Sequence, residues 1–249
     1  MGKKAIGVDV GGTGIKAAVV DTKTGELTSE RLTLGTPDGG EPEDIAQVVK
    51  AIVNSLPGSK PKPIGICFPA VVQNGFTQSA ANVSDRWIGL DAKTLFSEAL
   101  GQEVLVMNDA DAAGVAEVDF GAGRSVKGLI VMTTLGTGIG TALFYKGRLI
   151  PNAELGHIEI DGVDYETMAA FSAMEREGLS FTQWAERLQR YYSQLEKLLS
   201  PELFIVGGGI SKSSDEFLPL LDLKTPIVPA QLLNAAGIIG VAAAARESV

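Results

Sequence analysis

One cysteine, Cys67, and one histidine, His157, are all that this 249-residue sequence contains of either type. That excludes a disulfide within the chain and leaves a Cys/His zinc site short of ligands. Positive charge is scarce as well, with 21 Lys and Arg against 30 Asp and Glu and a net charge of −9. A generic nucleic-acid surface, which grips phosphates through clustered Lys and Arg, is not expected, and a polyanionic partner needs a local basic patch. No apolar stretch reaches the ~18 residues of a membrane span, and no basic-then-apolar leader precedes Lys3. A cytoplasmic protein with neither a membrane nor a nucleic-acid partner is expected.

What the sequence has in quantity is glycine, 30 residues of it, and part of that glycine lies in an internal repeat. Ile6–Asp21, IGVDVGGTGIKAAVVD, aligns with Ile130–Tyr145, IVMTTLGTGIGTALFY, so that Gly12-Thr13-Gly14-Ile15 falls on Gly136-Thr137-Gly138-Ile139. Each copy predicts a strand, a glycine turn at positive φ and a second strand, and two copies predict two related lobes.

Between the copies, helical and strand patterns alternate. Ile45, Val48, Val49, Ile52, Val53 and Leu56 recur at helical spacing. A buried strand starts at Pro63 and carries Cys67, read as inert core. A helix near Thr94–Leu100, a strand at Glu103–Met107 and a helix over Ala112–Val118 follow. Ser180 opens a capping box with Gln183. The stripe from Trp184 through Leu188, Tyr191, Tyr192, Leu195, Leu198 and Leu199 reads as core or dimer contact. ELFIVGGGIS runs a strand into Gly207-Gly208-Gly209, and NAAGIIGVAAAAR is a small-residue helix able to pack tightly.

Three glycine turns after apolar strands offer backbone N–H groups to an anion, phosphate above all. Any one of them is equally explained as a tight turn; their number, and the copying of two, favour phosphate. Neither the GxGxxG nor the GxxxxGK[ST] spacing occurs, which removes the common dinucleotide and P-loop readings.

Taken together, IGVDVGGTGIKAAVVD, MNDADAAGVAE (Met107–Glu117), GTGIGTALFYKGRLIPNAELGH (Gly136–His157) and LFIVGGGIS (Leu203–Ser211) resemble the ROK family of sugar kinases and repressors, over essentially the whole chain. AANVSDRWIG (Ala80–Gly89) and the stretch after His157 resemble its polyphosphate glucokinase branch. The resemblance implies an α/β, actin-like (ribonuclease H-like) two-lobed sugar kinase fold with internal duplication. Its lobes would be residues 1–108, joined by a C-terminal helix at 235–249, and residues 109–234. The family's cysteine-rich zinc motif is missing from GHIEIDGVDYETMAA, so zinc is not expected. The DNA-reading segment of the repressors has no counterpart ahead of the first turn, which favours a kinase. The implied reaction moves a phosphoryl group from inorganic polyphosphate, with ATP as a second donor, to the 6-hydroxyl of glucose, with Mg²⁺ as cofactor and a homodimer as the assembly. The alternatives are an ATP-dependent ROK hexokinase acting on glucose, mannose or another hexose, and a non-enzymatic actin-like assembly protein.

Such a reaction asks for a carboxylate to take the hydroxyl proton, groups to hold the sugar, and dipoles with Mg²⁺ to spread phosphoryl charge. Asp109, at the carboxyl end of the predicted strand EVLVM and on the family's catalytic position, is the expected base; the alternative is a helix cap. Asp111 reads as capping or structural. The resemblance places Asn82, Asn108, Glu154, His157 and Glu166 on the sugar, against the alternative that His157 is a satisfied core residue. Gly11, Gly12, Thr13 and Gly14 would wrap the phosphates, Lys16 would reach them as a point charge, and Asp9 would orient Mg²⁺ through water. Gly136, Thr137 and Gly138, with Gly208 and Gly209, would act likewise from the second lobe. Lys16, Arg86, Lys146, Arg148 and Lys212 are the candidates for a basic track.

Overall fold

The apolar run ahead of each repeated glycine turn becomes the middle strand of its own sheet. In the computed structural model, which describes residues 4–58 and 62–248, β1 (Lys4–Val10) pairs antiparallel with β2 (Gly14–Asp21), and β3 (Glu26–Leu27) and β4 (Leu32–Gly35) both pair with β2. After α1 (Pro42–Asn54), β5 (Ile64–Phe68) joins β1 in parallel. A hairpin of β6 (Val72–Gln73) and β7 (Phe76–Thr77) and then α2 (Ala92–Leu100) lead to β8 (Val104–Asn108), parallel to β5. The sheet order is β3-β2-β1-β5-β8.

After α3 (Asp109–Phe120) the pattern begins again. β9 (Leu129–Leu135), β10 (Ile139–Tyr145) and β11 (Arg148–Ile150) form an antiparallel run. The β12 (Glu159–Ile160) and β13 (Val163–Asp164) hairpin follows, then α4 (Glu166–Ala169), α5 (Phe171–Glu177) and α6 (Phe181–Leu199). β14 (Leu203–Gly207) and β15 (Ile227–Pro229) add in parallel, giving the order β11-β10-β9-β14-β15 before α7 (Ala236–Glu247). Apart from β4, which has no counterpart, the second sheet repeats the first strand for strand, and this is the structural form of the sequence repeat.

Two compact units result, Met1–Ala116 with Ala235–Val249, and Glu117–Asn234. The division falls inside α3 and not ahead of it. Ala112 of α3 shares a buried cluster with Cys67 of β5 and Val241 of α7, so the first half of that helix belongs to the first unit's core. Every residue of β5 is buried, as a parallel strand covered on both faces must be. Phe68, Trp87 and Phe96 fill the same unit's interior, with ring centroids 4.2 Å apart for Phe68–Trp87 and 5.7 Å for Trp87–Phe96.

In the second unit α6 starts with the capping box of Ser180 and Gln183. Its aromatic stripe is core: Trp184, Leu188, Tyr191, Tyr192 and Leu195 are fully buried with Phe204 and Val206 of β14, whereas Leu198 near the helix end is 57% exposed. Apart from Leu198 the stripe is therefore spent on the core of its own unit.

Candidate active site

In the first unit three parallel strands end at one level. Asp9 of β1 is in register with Cys67 of β5, and Cys67 with Met107 of β8, so Asp9, Cys67, Asn108 and Asp109 gather at the carboxyl ends of their strands. Open α/β sheets present ligand sites at that edge. Asp9 Oδ2 lies 3.5 Å from Nζ of Lys16, its cross-strand partner. The Cys67 thiol donates to Asp9 Oδ1 at 3.6 Å. Burial, reinforced by the negative charges of Asp9 and Asp109, pushes that thiol well above its ordinary value. Cys67 thus remains a protonated donor and no nucleophile. Its contact with Asp9 spans 58 residues of sequence and carried no local signal.

The capping alternative for Asp109 is resolved by its neighbour. Asn108 Oδ1 accepts from Asp111 N at 2.9 Å, the contact of a helix N-cap, while Asn108 Nδ2 donates to the Ala70 carbonyl at 3.1 Å. Asp109 Oδ1 accepts from the adjacent Ala110 N–H at 2.8 Å. Asn108 retains one amide hydrogen and one lone pair on each side of these bonds for a further partner. Asp111 is 1% exposed and structural.

The glycine turns differ from expectation in conformation. None of Gly11, Gly12, Gly14, Gly136 or Gly138 has positive φ; Gly208 alone of the expected phosphate glycines does, at 86°. At Gly12 and Gly138 glycine gives room, whereas a Cβ on Gly136 would meet nothing within 4 Å. A Cβ on Gly12 would stand 2.8 Å from Cβ of Asn82, and one on Gly138 would stand 2.5 Å from Oε2 of Glu166. Each turn also closes on itself, with Gly11 N–H on the Gly14 carbonyl at 3.1 Å and Gly136 N–H on the Gly138 carbonyl at 3.0 Å. The amides of Gly11 and Gly136 are therefore engaged within their turns and are not offered to a phosphate. Gly208 abuts the backbone of Leu135, setting the third turn beside the second.

The second unit brings Glu154, His157 and Glu166 together. His157 Nδ1 is 2.9 Å from Asp164 Oδ2 and 4.0 Å from Glu166 Oε1, and its side chain is 52% exposed, so it is not a core histidine. The Asp164 hydrogen bond raises its pKa against partial burial, helped by the charges of Glu166, Asp164 and Glu154. Partial burial lifts Glu154 above the ordinary carboxylate range, with Glu166 adding to the shift and His157 opposing it. Glu166 reaches back to the glycine turn, its Oε2 accepting from Ile139 N at 2.7 Å. Gly138→Ala should push the carboxylate off that N–H. The Ile139 amide is then expected to exchange with solvent at least about tenfold faster, as loss of a charged hydrogen bond of ~1.5–3 kcal/mol implies; deuterium exchange of the folded variant reads it, and unchanged protection would refute the contact.

Besides Lys16, paired with Asp9, a second member of the expected basic track is already engaged by carboxylates. Arg86 is paired with Glu41 at 2.9 Å and Glu43 at 2.7 Å, which raises its own pKa and lowers that of Glu43. Lys146 sits over the ring of Tyr145, 5.2 Å from the centroid.

Residues 5–178 match the ROK family. This chain belongs to the ROK family. It is 44% identical over 243 residues to a polyphosphate glucokinase of Mycobacterium tuberculosis, covering 97% of this chain and 91% of the relative. Among solved ROK-like structures, the inorganic polyphosphate/ATP-glucomannokinase of Arthrobacter sp. strain KM superposes with a TM-score of 0.94 at 50% identity over 99% of both chains. A ROK family glucokinase of Streptomyces griseus, solved with glucose and AMPPNP, gives a TM-score of 0.83 at 26% identity over 98% of this chain and 99% of that one. The ROK fold is the actin-like α/β fold with internal duplication, and the two matching sheet orders are that duplication in this chain.

Proposed function

We propose that this ROK protein is a polyphosphate-dependent glucokinase, transferring the terminal phosphoryl group of inorganic polyphosphate to the 6-hydroxyl of glucose, with ATP as a second donor. One observation carries the reading. Asp109 stands at the carboxyl end of β8, where its charge and that of Asp9 both reach Cys67, while Asn108 supplies the cap of α3. The likeness to a polyphosphate glucokinase and a polyphosphate/ATP-glucomannokinase over nearly the full chain supports the choice of donor and sugar.

In this reading Asp109 takes the proton of the 6-hydroxyl as its oxygen bonds to phosphorus and the bond from that phosphorus to the rest of the donor breaks. Asn82, Asn108, Glu154, His157 and Glu166 hold the sugar, each hydroxyl needing a partner at a fixed angle. The glycine turns and Lys16 hold phosphate oxygens. Among the described residues no group of three or more His, Cys, Asp or Glu could cage a metal ion. Asp9 is a single carboxylate beside the first turn, and one carboxylate with substrate phosphates is how Mg²⁺ is commonly held. Asp9 would hold the ion through water, and Mg²⁺ there would offset charge on the phosphates. A cytoplasmic homodimer completes the proposal; no helix among the described residues is long and apolar enough to cross a membrane.

A panel of glucose, mannose and fructose against polyphosphate and ATP, each with Mg²⁺ at two salt concentrations, tests the function. Polyphosphate is expected to be the better donor to glucose. Raising salt should weaken the polyphosphate reaction more than the ATP reaction, because a long anion engages more cations. Efficient turnover with ATP and none with polyphosphate would make the protein an ATP-dependent hexokinase instead.

A further inference from the structure

We infer that Asp164 is the positioning residue for the sugar-binding side chains of the second unit, its one carboxylate setting both His157 and Glu166. The inference rests on the glucokinase reading for what those side chains bind, and on geometry alone for how they are held.

Asp164 ends β13, the second strand of the short hairpin that follows His157, and leads directly into α4, whose first residue is Glu166. Its two oxygens serve different partners. Oδ2 is 2.9 Å from His157 Nδ1. Oδ1 accepts from Glu166 N at 3.1 Å, and the Asp164 carbonyl accepts from Thr167 Oγ1 at 2.7 Å, which anchors the first turn of α4. Glu166 in turn places Oε2 on Ile139 N at 2.7 Å. The connection therefore runs from the imidazole through Asp164 and Glu166 to the Gly136–Gly138 turn.

The chemical consequence concerns the imidazole. A carboxylate on Nδ1 keeps the proton there, and Nε2 of the neutral ring is then an acceptor with a defined direction. An acceptor of that kind suits a sugar hydroxyl. Without Asp164 either nitrogen can carry the proton and the ring can turn, while Glu166 loses the bond that fixes its backbone. The other charged groups facing His157 are Glu154, from the segment before it, and Glu166 of α4. Both remain when Asp164 is replaced, so its own effect can be read by difference.

The sign of the pH dependence follows from the raised His157 pKa. The imidazolium–Asp164 pair stabilises the fold fully below the unfolded imidazole value of about 6.5 and ceases to do so as pH rises through the higher folded value. The difference in thermal stability between wild type and Asp164→Asn should thus be larger in mild acid than in mild base.

Asp164→Asn and Asp164→Ala are the test, compared with wild type in the full chain. With His157 the sole histidine, its imidazole resonance is unambiguous, and its titration midpoint is expected to fall in both variants. The KM for glucose is expected to rise about ten- to a hundredfold in Asp164→Ala, the equivalent of losing a hydrogen bond to a charged group. It should rise less in Asp164→Asn, which keeps an acceptor in place, and kcat should change less than KM in both. A scaffold residue would lower the melting temperature and leave the histidine midpoint and the glucose KM of the folded enzyme where they were. An unmoved midpoint, or a moved midpoint with unchanged glucose KM, overturns the inference. If wild type phosphorylates no sugar with any donor, the glucokinase reading fails by itself, and the histidine midpoint with the Ile139 exchange rate in the same variants still decides whether Asp164 holds the two side chains.

Discussion

Asp109→Asn is expected to lower kcat about 10²–10⁴-fold, the usual worth of a general base, with little change in glucose KM or in melting temperature. Asparagine has the same shape and retains an oxygen for the Ala110 N–H that Asp109 now accepts. What it cannot do is take a proton. Were Asp109 mainly a helix cap, substitution by asparagine, itself among the best caps, would leave activity nearly intact. Because Asn108 already accepts from Asp111 N, the helix start does not depend on Asp109. Steady-state kinetics with polyphosphate and with ATP, beside a thermal melt, separate the cases. Turnover within a fewfold of wild type would mean that the base lies elsewhere.

The largest loss of stability is expected from Gly240→Ala in α7. A methyl group there would overlap the carbonyl oxygen of Ala112, stand 2.7 Å from the Ala112 carbonyl carbon and reach within 3.0 Å of Ala116 N. All three atoms are backbone of α3, so no side-chain rotation relieves the clash. On its other side α7 lies on the sheet, where Gly7 of β1 and Gly65 of β5 have no room for a Cβ beneath the carbonyls of Ile238 and Val241. Two effects oppose each other. Alanine gains ~1 kcal/mol of helix propensity over glycine, and overpacking costs ~1–3 kcal/mol or more. With rigid backbone on both faces the clash should dominate, for a net loss of about 2 kcal/mol and a drop of roughly 4–8 °C in Tm. Since α3 also carries Asp109, kcat should fall in the same variant. A variant that melts higher than wild type would show that propensity wins and that the helices are free to separate.

The hairpins around Gly11–Gly14 and Gly136–Gly138, the helical stretches and the capping box of Ser180 with Gln183 were all legible, because each is written in residues a few positions apart. Period-2 and period-3.6 patterns report which side of an element is apolar, and a repeated pattern reports a repeated topology. The same logic made NAAGIIGVAAAAR readable as a helix that packs closely, though not the backbone it packs on. The stripe on α6 shows the limit: its apolar face was evident, but whether it met its own sheet or another protomer was not.

What the sequence by itself determined, then, is the alternation of strands and helices and the duplicated sheet, together with the candidates for phosphoryl chemistry. Only the tertiary structure decided what those residues touch. It assigned the cap to Asn108 and not to Asp109, set the Cys67 thiol on Asp9, spent Arg86 on Glu41 and Glu43, and gave Asp164 to His157 and Glu166. It also changed the reason for Gly12 and Gly138, from positive φ to the space taken by Asn82 and Glu166. Periodicity constrains a residue only relative to its own helix or strand. Asp9 and Cys67, or Arg86 and Glu43, are 58 and 43 residues apart and meet because parallel strands come into register and loops fold over them. Such a meeting is a property of the packed chain, so no window of sequence short enough to show a period can contain it.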